Sequence, residues 1–271
     1  MAFDKKILFS DMIEEALISE STIIGFARKP YEGEMVSGGS VKIKSYDDAI
    51  TIGDFVQGTP LNRQLMAGST KTLTINKAKY FNIEVGDIDK VQSGVELQVY
   101  ATQAAKYLKL EVEKELWALR TSATAQTTDY TATTLTVLNI VEIIEDARVQ
   151  LSEANVYGDK ILIINDYVSS VLNKSGLLAD TSKFDGTYGP KRVKQFGDDV
   201  YVLVTNVAQP TVSTNCEMLI SSIDFLNYAG SLEEVESYRP QDSFSDAIKG
   251  LHVFGTSVFN ALKGVHITCL K

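Results

Sequence analysis

The sequence has few of the residues that most often carry catalysis or bind transition metals. Among its 271 residues there are two histidines, His252 and His266, and two cysteines, Cys216 and Cys269. The cysteines lack the CxxC spacing of structural zinc sites, and we expect two free thiols in a reducing compartment. The odd spacing of His266 and Cys269 puts them on opposite faces of a predicted strand, which argues against a catalytic pair. The sequence therefore predicts no catalytic residue, no metal and no cofactor.

The chain also lacks a phosphate-binding loop, a long apolar run and a basic excess. Residues 68–72 (GSTKT) resemble only the tail of a phosphate loop, and they lead into a predicted strand rather than a helix. No apolar run approaches the roughly 18 residues that a membrane helix needs, so no membrane partner is expected. Acidic residues outnumber basic ones by 35 to 26, and the resulting net charge of −9 disfavours tight wrapping of nucleic acid.

The first third of the chain contains a long β pattern. Residues 7–18 carry a short helical pattern, and from Val41 to Val85 apolar residues alternate with polar ones. A polar, glycine-containing stretch from Gly53 to Thr70 interrupts this alternation and divides it into the arms of a hairpin. So long a hairpin can bury only one face on its own and needs another surface to pack against.

The strongest helical pattern follows, from about Val95 to Thr121, and predicts a helix about 40 Å long. Its apolar residues form one stripe: Leu97, Ala101, Ala104, Ala105, Leu108, Val112, Leu116 and Leu119. Charged residues lie off this stripe: Lys106, Lys109, Glu113 and Lys114. Packing on the helix is the preferred interpretation of Tyr107 and Trp117.

The remainder predicts an α/β unit followed by strands. The threonine-rich segment from Thr121 to Thr136 lacks apolar periodicity and is interpreted as a loop. Thr136 and Asp166 are candidate N-caps of two helices. One short apolar strand lies between these helices and further ones follow the second, which is the pattern of an α/β unit. The residues after about 230 return to strands, ending with Val265–Leu270. A chain that leaves a strand region and returns to it predicts a discontinuous domain.

Several segments, in this order, resemble the major capsid proteins of tailed bacteriophages, which have the Hong Kong 97-like fold. They are residues 10–21 (SDMIEEALISES), Lys79–Phe81 (KYF) with Asp87–Lys90 (DIDK), 151–172 (LSEANVYGDKILIINDYVSSVL) and 233–260 (EEVESYRPQDSFSDAIKGLHVFGTSVFN). The resemblance extends over nearly the whole chain, although Tyr157 stands where family members often have proline.

This resemblance implies an α+β fold with an N-arm, an extended hairpin called the E-loop, a long spine helix, a peripheral domain and an inserted axial α/β domain. The implied boundaries are 1–38 for the N-arm and 39–90 for the E-loop and its return strands. The peripheral domain with the spine helix is 91–128, the axial domain is 129–230, and the closing strands of the peripheral domain are 231–271.

The resemblance also implies a function without enzymatic activity. The chain would self-assemble through hexamers and pentamers into an icosahedral shell that encloses double-stranded DNA without binding it specifically. Expected partners are a portal protein, decoration or head–tail connector proteins and, because Met1 stands directly before the arm, a separate scaffold protein. The expected location is the virion, after assembly in the cytoplasm of a bacterial host.

Contacts between subunits are expected from the arm and the hairpin, because these segments cannot bury themselves within their own subunit. The apolar candidates are Met12, Leu17, Val41, Ile43, Ile52, Phe55, Leu61, Leu65, Leu73 and Ile75. Charged contacts at the rims, which help to set register and partner choice, are expected from Arg63, Lys77, Glu236 and Arg239.

Two alternatives stay open at this point. An encapsulin-like cellular compartment would use the same fold to enclose protein cargo, and neighbouring genes for a portal or a cargo enzyme would distinguish the two. A cytoplasmic enzyme that uses the α/β unit belongs to a different class. The shortage of histidines and the incomplete phosphate loop argue against it.

Overall fold

The computed structural model describes residues 23–27, 39–45, 52–54, 57, 60, 63–64, 69–88, 97–123, 128–176, 178–179, 193–197 and 199–271. The helices are α1 (Ile23–Phe26), α2 (Leu97–Ala118), α3 (Ile140–Glu153) and α4 (Asp166–Lys174), and there are short 3-10 turns at Leu119–Ser122 and Ala261–Lys263. The strands are β1 (Ser40–Ser45), β2 (Ser69–Thr74), β3 (Lys77–Gly86), β4 (Thr128–Thr134), β5 (Lys160–Ile164), β6 (Leu178–Ala179), β7 (Val193–Phe196), β8 (Val200–Val204), β9 (Asn215–Ser222), β10 (Leu226–Tyr238), β11 (Ser245–Val258) and β12 (Gly264–Leu270).

The long helix α2 confirms the predicted stripe and joins two parts of the molecule. Its 22 residues span about 33 Å. Near its start, Ala101, Ala105 and Leu108 form a core with apolar side chains of β10 and β11. Near its end, Val112 and Leu116 enter a second core, together with α1 and one face of a large sheet. One helix therefore supports both a small sheet and a large one.

The small sheet has three antiparallel strands in the order β10-β11-β3. The alternation of β3 explains how it sits on α2: Phe81 and Ile83 pack toward the helix, whereas Asn82 and Glu84 are exposed on the other face. The sequence grouped β3 with the hairpin strands, but β3 pairs with β11 along its whole length. This pairing places the apolar face of β3 on the helix.

The hairpin itself is a ribbon formed by β1 and β2, which pair antiparallel from Ser40↔Thr74 to Ser45↔Ser69. Within the described residues neither strand pairs with a third. The base of the ribbon rests on β11, where Leu73 is buried over Gly255. There Lys71 Nζ also donates a hydrogen bond to the carbonyl oxygen of Phe259 at 2.7 Å.

The large sheet has seven strands in the order β4-β12-β9-β5-β8-β7-β6, with β5 and β8 parallel. Helices α3 and α4 cover one face, over the apolar side chains of a single core cluster. The end of α2 and the short α1 cover the other face, against Ile161, Ile163 and Leu219. Strand β5 is buried along its whole length, as its uninterrupted apolar run predicts.

Three local expectations were wrong. The threonine-rich segment contains strand β4, which pairs parallel with β12, because β-branched threonine suits an extended backbone even without apolar alternation. Helix α3 begins at Ile140 after the N-cap Asn139 rather than after Thr136. Helix α4 is capped by Asn165, whose side-chain oxygen accepts a hydrogen bond from Val168 N at 2.9 Å, and Asp166 is its first residue.

Strand β12 also differs from the grouping expected for residues 231–271. It lies between β4 and β9 in the large sheet, whereas β10 and β11 belong to the small one. The apolar side chains of Val265 and Ile267 join the core under α3, which accounts for this placement.

Gly255 allows the ribbon base to approach β11, and we expect Gly255→Ala to lower the free energy of unfolding by about 1–3 kcal/mol. A Cβ at this position would lie 2.9 Å from Leu73 Cδ2 and closer still to the carbonyl oxygen of Thr74. Urea denaturation of the subunit measures the change. Gly53→Ala is the matched control, because no atom of the described residues lies within 4 Å of a Cβ built there. Equal effects of the two substitutions would contradict the packing argument.

Candidate assembly surface

The ribbon presents exposed side chains beyond its paired strands. Ile52 is 92% exposed, and Gly53, Asp54, Arg63 and Gln64 are exposed as well. A largely exposed isoleucine on a ribbon of two strands can be buried only against another surface. That the hairpin packs against a surface beyond itself stays a prediction.

The predicted apolar contact residues are placed as follows. Met12, Leu17, Phe55, Leu61 and Leu65 lie outside the described residues. Val41 and Ile43 belong to β1. Ile52 is exposed and Ile75 is half-buried. Leu73 is 0% exposed within its own subunit, so its side chain is not free to contact a neighbour.

The predicted charged candidates, apart from the exposed Arg63, form ion pairs within the chain. Lys77 Nζ lies 2.6 Å from Glu115 Oε2 and, with the neighbouring pair of Lys79 and Glu111 at 3.3 Å, fastens β3 to α2. Glu236 pairs with Lys249 across the small sheet at 2.9 Å, and Arg239 pairs with Asp87 at the end of β3. These pairs are partly exposed, so they contribute little to the stability of the subunit and their atoms remain within reach of solvent.

An aromatic groove between β3 and α2 was missed by the sequence analysis. It encloses about 280 Å³, and its lining includes Tyr80, Phe81, Tyr100, Gln103 and Tyr107. Tyr107 was expected to pack on the helix but is 70% exposed, and Tyr80 is 80% exposed. Tyr100, Gln103, Tyr107 and Glu111 recur at helical spacing. This second face of α2 could have been recognised from the sequence.

A second apolar patch lies at the far end of the small sheet. Phe244 is 86% exposed and Ile88 is 71% exposed. The two positions are brought together by a hydrogen bond from Asp87 N to the carbonyl oxygen of Phe244, at 3.0 Å. Exposed aromatic and aliphatic side chains in such pairs are typical of contact surfaces between proteins.

A buried charged cluster connects α2 to the large sheet. Arg120, just beyond α2, donates through Nε to Glu217 Oε2 in β9 and through Nη2 to Thr211 Oγ1 at 2.8 Å. The guanidinium lies 4.9 Å from the ring centroid of Trp117, and His266 Nε2 lies 3.3 Å from Glu217 Oε2. We call Arg120, Thr211, Glu217 and His266 the junction cluster.

Protonation in the junction cluster follows from burial and from its hydrogen bonds. Burial alone would raise the pKa of Glu217, but hydrogen bonds from Arg120 and from Thr211 N outweigh it, and the pKa lies below its ordinary value. Burial also lowers the pKa of His266, although the Glu217 carboxylate acts in the opposite direction. At neutral pH the cluster is therefore a buried ion pair beside a neutral imidazole.

A second charged residue of α2 is also buried although it lies off the apolar stripe. Glu113 is 1% exposed, and its Oε1 accepts a hydrogen bond from Ile23 N at 3.2 Å. This contact holds the start of α1 against α2. Lys109 is likewise buried one turn earlier. The stripe in the sequence identified the apolar contact of α2 with the sheets but not this polar contact with α1.

The histidines and cysteines do not form a catalytic arrangement in the described part of the chain. His252 Nε2 lies 3.0 Å from the hydroxyl oxygen of Tyr228, and both side chains are buried. Cys269 faces the core under α3, whereas His266 faces Glu217 on the opposite side of the sheet. Among the described residues no group of three or more histidine, cysteine or carboxylate side chains could hold a metal ion, and no helix is long and apolar enough to cross a membrane.

Comparison with known proteins places this arrangement among capsid structures. A structure from Mycobacterium phage Che8 matches with a TM-score of 0.72 and 23% identity, over 92% of this chain and 91% of that one. The capsid of cyanophage P-SCSP1u matches with a TM-score of 0.69 and 12% identity, over 94% and 89%. A virus-like particle from Pyrococcus furiosus matches with a TM-score of 0.57 and 14% identity, over 97% and 99%.

No family model matches the chain, and no curated protein matches it in sequence. The structural matches nevertheless cover 92% and 94% of this chain for the Che8 and P-SCSP1u structures. The chain therefore has the Hong Kong 97-like capsid fold.

Proposed function

We propose that this chain is the major capsid protein of a tailed bacteriophage, which self-assembles into an icosahedral shell. The observation that carries the proposal is the extent of the structural likeness, 92% of this chain and 91% of the Che8 phage chain. A likeness of that extent covers most of both chains.

The described surface supports this role physically. The ribbon with its exposed Ile52, the aromatic groove and the patch of Phe244 and Ile88 are separate apolar features on one subunit. A standard protein interface buries about 1,600 Å², and a subunit that contacts several neighbours would bury a multiple of this area. Contacts between unlike surfaces close into rings when the rotation permits, which would give hexamers and pentamers.

The proposal assigns a role to each part of the chain. Residues 1–38 are an N-arm and 39–90 the E-loop with its return strands. Residues 91–128 and 231–271 form the peripheral domain, with the last strand crossing into the sheet of the axial domain, 129–230. The four charged candidates outside the apolar core, Arg63, Lys77, Glu236 and Arg239, guide register at the rims of these contacts.

The proposed partners follow from the shell. Enclosed double-stranded DNA meets a subunit with a net charge of −9, which keeps it from adhering to the wall. The proposed partners are a portal protein, a separate scaffold protein and decoration or connector proteins. The subunit is located in the virion, after assembly in the host cytoplasm. The subunit has no enzymatic activity in this proposal.

Electron microscopy of the purified protein, alone and with its scaffold protein, tests the proposal. We expect closed shells with hexameric and pentameric capsomers, and a matching fast-sedimenting species in the ultracentrifuge. Subunits that stay monomeric in both preparations and show a saturable activity on a small molecule would overturn it. Shells that form in the cell around protein cargo instead of DNA would also contradict the phage assignment.

A further inference from the structure

The two cysteines, which are far apart in the sequence, meet in the large sheet. Cys216 in β9 is registered directly opposite Cys269 in β12, in an antiparallel pair. Residues in such positions have Cα atoms about 4.5 or 5.5 Å apart, and both values lie within the range that a disulfide spans. Their side chains point to the same face, because directly opposite residues share a face of the sheet.

The thiols interact with each other and with the backbone between them. Cys216 Sγ lies 3.6 Å from the carbonyl oxygens of Cys269 and Leu270. The hydrogen bond from Cys269 lowers the pKa of Cys216, and the nearby Lys271 ammonium lowers it further, whereas the same hydrogen bond raises the pKa of Cys269. One thiol of the pair is thus favoured as a nucleophile.

Both side chains are fully buried, so an oxidant must reach them through a local opening of the sheet. Among the described residues, the strand pairing is irregular beside Cys269, where such an opening is expected. Strand β4 pairs with β12 at the end of the sheet order, and the pairing shifts between Cys269 and Leu270. An irregular ladder at an outer strand opens more readily than a continuous central one.

We propose that Cys216 and Cys269 are a modification site. A disulfide oxidant such as oxidised glutathione would convert the two thiols into an intrachain disulfide between them. One cysteine thiolate attacks the oxidant, forms a mixed disulfide and releases one glutathione thiolate. The second cysteine then attacks the protein sulfur of the mixed disulfide and releases the other glutathione. The two protein thiols are oxidised and one oxidant disulfide is reduced to two thiols.

The disulfide would join two strands that are separated by 53 positions in the sequence. Restricting a loop of this length in the unfolded chain is expected to raise the melting temperature of the subunit by about 5–10 °C. In a particle, the two thiols would stay reduced inside a reducing cell, and the disulfide would form outside it. This last consequence rests on the proposed shell function, whereas the pairing of the thiols does not.

The test uses the unassembled full-length subunit, incubated under native conditions with oxidised glutathione. Thiols are counted in denaturant, disulfide-linked peptides are mapped by mass spectrometry, and melting is followed by circular dichroism. We expect loss of both thiols, one peptide pair linking Cys216 to Cys269, and the raised melting temperature, all reversed by dithiothreitol.

C216A and C269A are the matched controls. Each keeps one thiol, so each should give at most a mixed disulfide with glutathione and no rise in melting temperature. Persistence of both thiols in the folded wild-type protein, or formation of only mixed or intermolecular disulfides, would overturn the proposal. Because this readout needs no particle, its failure is distinguishable from a failure of the proposed shell function.

Discussion

Replacing Glu217 by glutamine is expected to lower the free energy of unfolding by about 3–5 kcal/mol. The substitution preserves the volume of the side chain but removes its charge. Arg120, whose side chain is 9% exposed, then remains buried without its counter-charge. Because desolvation of an unpaired cation in the interior is costly, the loss should far exceed that of a surface ion pair. Urea denaturation of the unassembled subunit, followed by circular dichroism, measures it.

Asp224→Asn provides the matched control. Asp224 pairs with Lys263 at 3.4 Å, and their side chains are 45% and 33% exposed, so the same isosteric loss of charge should cost less than about 1 kcal/mol. A double substitution, Arg120→Met with Glu217→Met, should recover much of the stability, because replacing both partners leaves no buried charge. An equal effect of Glu217→Gln and Asp224→Asn would show that the junction cluster does not connect α2 to the sheet as described.

Shortening the ribbon is expected to abolish shell formation while leaving the subunit folded. Residues 46–68 are replaced by Asn–Gly, which joins Ser45 to Ser69 by the two-residue turn that suits an antiparallel pair. Both strands and the base contacts of Lys71 and Leu73 remain, so the melting temperature of the unassembled subunit should change little. The replaced segment includes the exposed Ile52. Sedimentation and electron microscopy should then find no shells.

Single substitutions at Ile52 test the same contact with less disturbance. Burying one such side chain contributes about 1.5–3 kcal/mol, so Ile52→Asp should raise the subunit concentration needed for assembly by about 10–150-fold. Ile52→Val keeps an apolar side chain of the same branched shape and should assemble almost normally. If the shortened subunit still formed shells, the ribbon would not be an assembly element. The proposed shell function would remain supported in that case.

The sequence predicted best where one element has one dominant environment. The α2 stripe was correct because apolar residues repeat at helical spacing over many turns, and the burial of β5 was correct because its run is uninterrupted. The prediction that Tyr107 packs on the helix was wrong, because helical spacing also describes a second, aromatic face of α2 that lies outside the core. The strand in the threonine-rich segment was missed because its pairing partner, β12, lies far along the chain.

The predicted contact residues show the same division. Ile52 and Leu73 come from the same alternating pattern, but Ile52 is exposed whereas Leu73 is buried at the ribbon base. Alternation along a strand states which side chains share a face but not which surface covers that face. The surface over Leu73 is β11, whose Gly255 lies 182 positions later in the sequence.

By itself, the amino-acid sequence determined the long helix, the hairpin and the α/β unit, and its motifs in their order indicated the capsid fold. Each of these depends on local periodicity or on short segments, which a single sequence displays directly. Only the tertiary structure decided the junction cluster of Arg120 and Glu217, the position of β3 beside the aromatic face of α2, and the meeting of Cys216 with Cys269. These depend on strand register and helix docking between distant segments, and no local pattern encodes which distant residues will meet.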